Sequence, residues 1–254
     1  MRSDWTYTCV IRMENMKRFI LLLVIVSIPV IFALGQASEM SIEESYLQES
    51  IENMIIREQS RAESREMKMI ALSYIGDAIE RGNRGDEVRQ ALEYMGLEGI
   101  LNRGRENGRL VNNYPDVRRE SARYLGLMGT PEAKDALLRI IYYDNEPMVL
   151  QEAIKSLGDI GIDDDGRAMT TIAWIFQKFD NTNPDNLLAL SAIEAFEKLS
   201  VKGMKDTNAI QILIRIAEGP YIRPVQDRAR QALVNLRRIQ AEHQQTQQQE
   251  AQRR

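Results

Sequence analysis

A chain of 254 residues that is 44% hydrophobic yet only 6% aromatic can bury a substantial core, and so few large rings suit a helical array. A formal charge of -4 with no long basic run argues against nucleic acid as a main partner, because phosphate binding needs clustered Lys and Arg. The single cysteine, Cys9, lies ahead of an export signal and the single histidine, His243, in a polar tail, which leaves Ser-His, Cys-His and histidine-rich zinc chemistries without a second component in the mature fold.

Residues 1–37 read as an export signal outside the fold. Lys17 and Arg18 precede an apolar run from Phe19 to Leu34, and Gly35-Gln36-Ala37 supplies small residues at the spacing a signal peptidase reads. With 16 residues and Pro29 inside it, the run is short for a membrane span and suits a cleaved segment, with retention as an N-terminal anchor as the alternative. In both cases positive charge on its N-terminal side places the rest of the chain across the membrane. Met16-Lys17-Arg18 is a sufficient opening by itself and Met13 would serve as well, so residues 1–15 read as surplus. Cys9 lies in that surplus, so the mature chain is expected to hold no disulfide, thiolate catalyst or cysteine metal site. No cysteine for a lipid anchor follows the apolar run, and the mature protein is expected to be soluble unless the signal is retained.

Residues 38–61 read as a polar-rich helix, with Ser41 and Glu44 spaced as a capping box and Leu47, Ile51, Met54 and Ile55 forming an apolar face. This helix is expected to cap the first unit of an array, whose terminal members need one polar outer face. Docking of that face on a partner or a membrane surface is the alternative.

From there the chain repeats itself. Met67, Ala71, Tyr74, Ile75 and Ala78 form a stripe that returns as Val117, Ser121, Tyr124, Leu125, Met128 and again as Val149, Ala153, Ser156, Leu157, Ile160. It continues as Leu188, Ala192, Ala195, Phe196, Leu199 and as Val225, Ala229, Ala232, Leu233, Leu236. The spacing i, i+4, i+7, i+8, i+11 is the buried stripe of an amphipathic helix. The second position is small in every copy, which lets a neighbouring helix approach. Between Pro115 and Gly161 the repeat is explicit: a shift of 32 positions carries Glu120 onto Glu152, Leu125 onto Leu157, Gly126 onto Gly158 and Gly129 onto Gly161.

Asp116-Val117-Arg118 through Leu125-Gly126 and Gly129, followed by Thr130-Pro131-Glu132-Ala133 opening a second helix, resembles HEAT repeats, particularly the short type of bilin-lyase-like proteins. The resemblance covers roughly Arg61 to Gln240. Glu197 and Val234 depart from it, standing where Gly126 and Gly158 stand, which is expected to weaken the turn geometry there. The resemblance implies a stack of antiparallel helix pairs used mostly as a binding scaffold, with the second helix of each pair on the concave surface and no shared catalytic residues.

Those second helices align as Val88-Leu92-Met95, Ala133-Leu137-Ile140, Ala168-Ile172-Ile175 and Ala209-Leu213-Ile216. Two positions after each central core residue stand Tyr94, Arg139, Trp174 and Arg215, roughly 200° around the helix from it. These residue types are enriched in interface hot spots, so the four are expected to form a ladder that holds a protein or peptide. The alternatives are that Tyr94 and Trp174 fill gaps between repeats, and that Arg139 and Arg215 belong to a solvated face.

The spacing between equivalent stripes stretches to 50 residues from Ile75 to Leu125. The surplus, Gly96 to Pro115, contains four glycines, and Arg103, Arg105 and Arg109 make it the most basic short stretch of the mature chain. It reads either as a loop for an acidic partner surface or as a connector whose arginines satisfy helix-end carbonyls. Asp163-Asp164-Asp165-Gly166 lacks the alternating spacing of a calcium loop, and Asp180 to Asp185 has turn and N-cap chemistry, so no metal site is assigned. The Gln-rich tail from Gln240 to Arg254 carries His243 and no apolar stripe, and reads as a frayed helix or as disorder.

The expected protein is therefore all-α, a right-handed α-solenoid of about five helix pairs over residues 62–240, after a signal (1–37) and a capping helix (38–61) and before a polar tail (241–254). The expected function is a non-enzymatic, cofactor-free scaffold in the periplasm, binding a protein or peptide, with membrane contact only if the signal is retained as an inner-membrane anchor. A structural part in an envelope or motility assembly, and an enzyme or subunit related to lyase-like HEAT proteins, are the alternatives.

Overall fold

A computed structural model describes residues 42–180, 184–200 and 207–253. The export signal, Cys9 and residues 181–183 lie outside the described residues, as does the side chain of His243. The chain divides into two compact units, Met1–Ser50 and Ile51–Arg254. Of the first, only 42–50 are described, as the opening of helix α1 (Ile42–Ser60).

The second unit is an all-α solenoid. First-layer helices α2 (Arg65–Glu80), α4 (Pro115–Met128), α6 (Pro147–Ile160), α8 (Asn186–Ser200) and α10 (Arg223–Arg253) alternate with second-layer helices α3 (Asp86–Gly96), α5 (Pro131–Tyr143), α7 (Arg167–Asp180) and α9 (Thr207–Glu218). Each first-layer helix packs on the next first-layer helix, and each second-layer helix on the next of its own kind. Among the described residues there are thus five first-layer helices, four with a second-layer partner.

The helix ends follow from local chemistry. Proline occupies the first turn of α4, α5 and α6, where its missing N–H is not needed. Thr130 Oγ1 caps α5 by accepting from Ala133 N at 3.2 Å, and Asp185 caps α8 by accepting from Leu187 N at 2.8 Å. Gly129 and Gly161 end α4 and α6 with φ of 67° and 65°, the left-handed conformation a side chain would strain.

All twelve predicted second-layer core residues are buried, from Val88 to Ile216. Most first-layer stripe residues are also buried; Tyr124, Ile160 and Leu233 are half-buried, and at the start of the stack Met67 and Tyr74 are exposed. The cause is position, since among the described residues no first-layer helix precedes α2. Helix α1 differs from expectation too. Leu47, Ile51 and Met54 are exposed, and the face that packs is Glu52, Ile56 and Ser60, spaced i, i+4, i+8, with Ile56 fully buried and Glu52 paired to Arg81.

Gly126 and Gly158 do not serve turns. They lie inside α4 and α6, where the first layer closes most tightly. A Cβ on Gly126 would meet Ser156 Oγ at 2.6 Å, and one on Gly158 would meet Ala195 Cα at 2.8 Å. Where the next helix carries Glu197 instead, the contact changes kind: its carboxylate accepts from Arg228 Nη1 at 3.1 Å and from Asn235 at 3.0 Å across to α10. At Val234, on the last helix, the side chain is exposed and no glycine is needed.

Two buried ion pairs tie first-layer helices to the connectors that follow second-layer helices. Lys68 and Arg118 occupy the same repeat position. Lys68 Nζ lies 2.7 Å from Glu98 Oε2 and donates to Ser60 O at 3.0 Å. Arg118 Nε donates to Asp144 Oδ2 at 2.7 Å, while Nη1 donates to Asn113 Oδ1 at 2.8 Å. Asp144 in turn accepts from the N–H groups of Asn145 and Glu146 ahead of α6.

The inserted stretch contains a two-stranded ribbon, β1 (Arg105–Glu106) against β2 (Arg109–Leu110), turned by Asn107 and Gly108 at φ of 49° and 82°. Asn-Gly with both residues at positive φ is the signature of a type I′ hairpin turn. At the other end, α10 continues as helix to Arg253, so of the two readings of the tail the helical one applies.

Candidate functional site

The second layer is joined across repeats by long side chains. Arg139 on α5 pairs with Glu93 on α3, and Arg167 on α7 donates to Asp135 Oδ1 on α5 at 2.7 Å. Between α5 and α7 these bridges frame a cavity of about 580 Å³, lined by Leu138, Arg139, Tyr142, Tyr143, Arg167 and Thr171 among others.

Aromatic rings form one edge of this cavity. Tyr142 is 57% exposed and stacks on Trp174 with ring centroids 5.2 Å apart at 17°, while Tyr143 meets Tyr142 edge-on at 5.0 Å and 84°. Lys178 Nζ sits 5.3 Å from the Trp174 ring and donates to Asn145 Oδ1 at 2.8 Å. Burial of a ring that leaves its face wet is incomplete desolvation, and a partner that covers it gains the remainder.

Arg139, Arg167 and Lys134 around the cavity are each paired with a carboxylate. Asp165 accepts from Arg167 Nε at 2.6 Å and from Lys134 Nζ at 3.0 Å. The Arg167 hydrogen bond is the largest cause holding its carboxyl well below the usual carboxylate range; burial opposes it, and Lys134 adds to the lowering. Neighbouring Asp163 behaves oppositely: burial pushes it up, although it accepts from Ala168 N at 2.7 Å and Met169 N at 3.1 Å as the cap of α7. The acidic connector is thus a helix cap and an ion-pair node.

These shifts predict a pH dependence. Asp165 has its pKa lowered in the fold, so its contribution is present above the unfolded value near 3.8 and is lost as pH falls through the folded one. Asp165→Asn is expected to cost stability at neutral pH, with the gap to wild type narrowing as acid protonates the native carboxylate. Urea unfolding at a series of pH values measures it; a gap that is constant from neutral to acid would refute the assignment.

The four ladder residues fare differently. Arg139 lines the cavity and Trp174 joins it through Tyr142. Tyr94 is half-buried, packed against the core with Lys68 Nζ 5.6 Å from its ring, so it fills a gap between elements. Arg215 lies exposed on α9, outside the cavity. Tyr142 and Tyr143 were not among the expected residues; their signal is two consecutive rings at the end of α5 in a chain with few aromatics.

In the inserted stretch, Arg103 Nε donates to Ile100 O at 2.7 Å and Arg105 Nη1 to Gly108 O at 3.2 Å, so both satisfy local carbonyls. Arg109 is exposed on β2. No helix among the described residues is long and apolar enough to cross a membrane.

Residues 109–175 match the family of HEAT repeats. The match covers α4, α5, α6 and the first half of α7, the repeats that hold both faces of the aromatic cavity. HEAT repeats commonly mediate protein–protein contact and are generally non-catalytic scaffolds. Comparison with curated proteins and with solved structures gave no match.

Proposed function

We propose that this chain is an exported HEAT-like scaffold that binds a protein or peptide on its second-layer face, with the cavity between α5 and α7 as the centre of contact. The observation that carries the reading is the line of exposed rings Tyr143, Tyr142 and Trp174, set among charges that pair internally. Aromatic anchors ringed by near-neutral polar contacts are the usual energetic core of an interface. Tyr94 and Arg215 contribute at most to its periphery. The export signal would deliver the scaffold to the periplasm, with an inner-membrane tether if the segment is retained.

The test is site-specific photocrosslinking in cells from position 142, with exposed position 127 on the first layer as control, followed by mass spectrometry. A partner captured from 142 and absent from 127 is the expected result. With that partner purified, Tyr142→Ala is expected to weaken binding roughly 30-fold, the size of a hot-spot truncation, with a melting temperature lowered by only a few degrees through the lost ring contacts. Capture from 127 alone would move the function to the first-layer face.

A further inference from the structure

We infer that the inserted hairpin is an anchor for anionic lipid surfaces, separate from the aromatic cavity. Its strand residues are exposed on both faces, so the ribbon stands clear of the described helices and no packing among the described residues requires it. An isolated two-stranded ribbon is marginally stable in water, yet this one is held firmly at its base. Asn112 accepts from Gly104 N at 2.8 Å and donates to Asn102 O at 2.7 Å, and Tyr114 Oη lies 3.1 Å from Glu63 O.

The chemistry of the ribbon is two-sided. Register sets Arg105 opposite Leu110 on one face and Glu106 opposite Arg109 on the other, and alternation adds Val111 to the Arg109 face. Leu101, Leu110 and Val111 are between 37% and 45% exposed. Each face therefore presents an aliphatic side chain beside a guanidinium. A protein surface covers one face of a ribbon, whereas the interfacial zone of a bilayer surrounds both, solvating aliphatic groups and pairing arginines with lipid phosphates. With Arg103, Arg105 and Arg109 against Glu106 alone, the ribbon carries a net positive charge that complements an anionic leaflet.

The experiment places an environment-sensitive fluorophore on Val111→Cys in the full chain with Cys9→Ser. A local probe reports the hairpin itself, independently of any partition of the N-terminal apolar run. Mixed phosphatidylglycerol–phosphatidylcholine vesicles are expected to shift its emission to the blue, while pure phosphatidylcholine vesicles are not. Combining Arg103→Gln, Arg105→Gln and Arg109→Gln is expected to lower the apparent affinity on the order of 100-fold, from roughly tenfold or less per basic residue. A probe on Leu187→Cys, exposed on α8, should not respond. The inference is overturned by no shift at position 111, by an equal shift with neutral vesicles, by an equal shift at position 187, or by binding that the triple variant retains. A probe that responds to polyglutamate but not to vesicles would overturn it in favour of an acidic protein surface. None of these outcomes bears on the cavity between α5 and α7.

Discussion

Arg118→Leu is expected to destabilise the protein by about 3–5 kcal/mol, the cost of leaving one member of a buried ion pair without its counter-charge. Both side chains of the Arg118–Asp144 pair are 2% exposed, so water cannot replace the lost guanidinium. The carboxylate keeps its two N–H donors at the start of α6, which is why the loss should spread into the next repeat. The position itself accepts an apolar residue, because its equivalent one repeat later is Leu150, fully buried without charge. The double variant Arg118→Leu/Asp144→Asn is therefore expected to recover much of the stability, since asparagine can still accept from the cap N–H groups without a buried charge. Chemical denaturation of the single and double variants measures this. Equal losses in both would mean that the guanidinium contributes through its bonds to Asn113 and Glu98 O rather than through charge.

Gly158→Val is expected to cost about 3 kcal/mol, at the upper end of overpacking penalties, because the obstruction is the backbone of α8 and cannot rotate away. Gly158→Ala should cost less, since leaving glycine in a helix returns about 1 kcal/mol. A stack of this kind gains stability from nearest-neighbour interfaces, so weakening the seam between α6 and α8 should split unfolding into two transitions, one for each side. Circular dichroism during denaturation shows this directly. A variant that unfolds in one transition at the wild-type midpoint would contradict the close approach. At Gly126 the obstruction is a side chain, so Ser156→Gly is expected to relieve part of the penalty of Gly126→Ala.

Much of the fold could be read from residue order because the helical stripe is periodic and recurs. Val88, Leu137, Ile172 and Leu213 are each buried where the period places them. Periodicity identifies what faces the core, but not which neighbour lies across it. That is why Gly126 and Gly158 were assigned to turns: only the packed helices reveal that the space they leave is filled by Ser156 and Ala195. It is also why the stripe places Met67 and Tyr74 inside: periodicity does not show that, among the described residues, no first-layer helix precedes α2. The site was less legible. Trp174 and Arg139 follow from helix geometry, but Tyr142 and Tyr143 lie at the end of α5 beyond the last stripe residue, Ile140. Asn107-Gly108 carried a hairpin signal among neighbouring glycines that resembled an ordinary loop.

The two layers of the solenoid are joined by different materials. On one side, beside ion pairs such as Glu197–Arg228, Gly126 and Gly158 seat the next helix directly against the helix backbone, a contact with little slack. On the other, arginines, a lysine and stacked rings reach across, each with torsions that can lengthen or shorten the span. Flexing of the stack is therefore expected to pivot on the glycine seam and be absorbed in the bridged layer, with the width of the aromatic cavity as the dimension that changes.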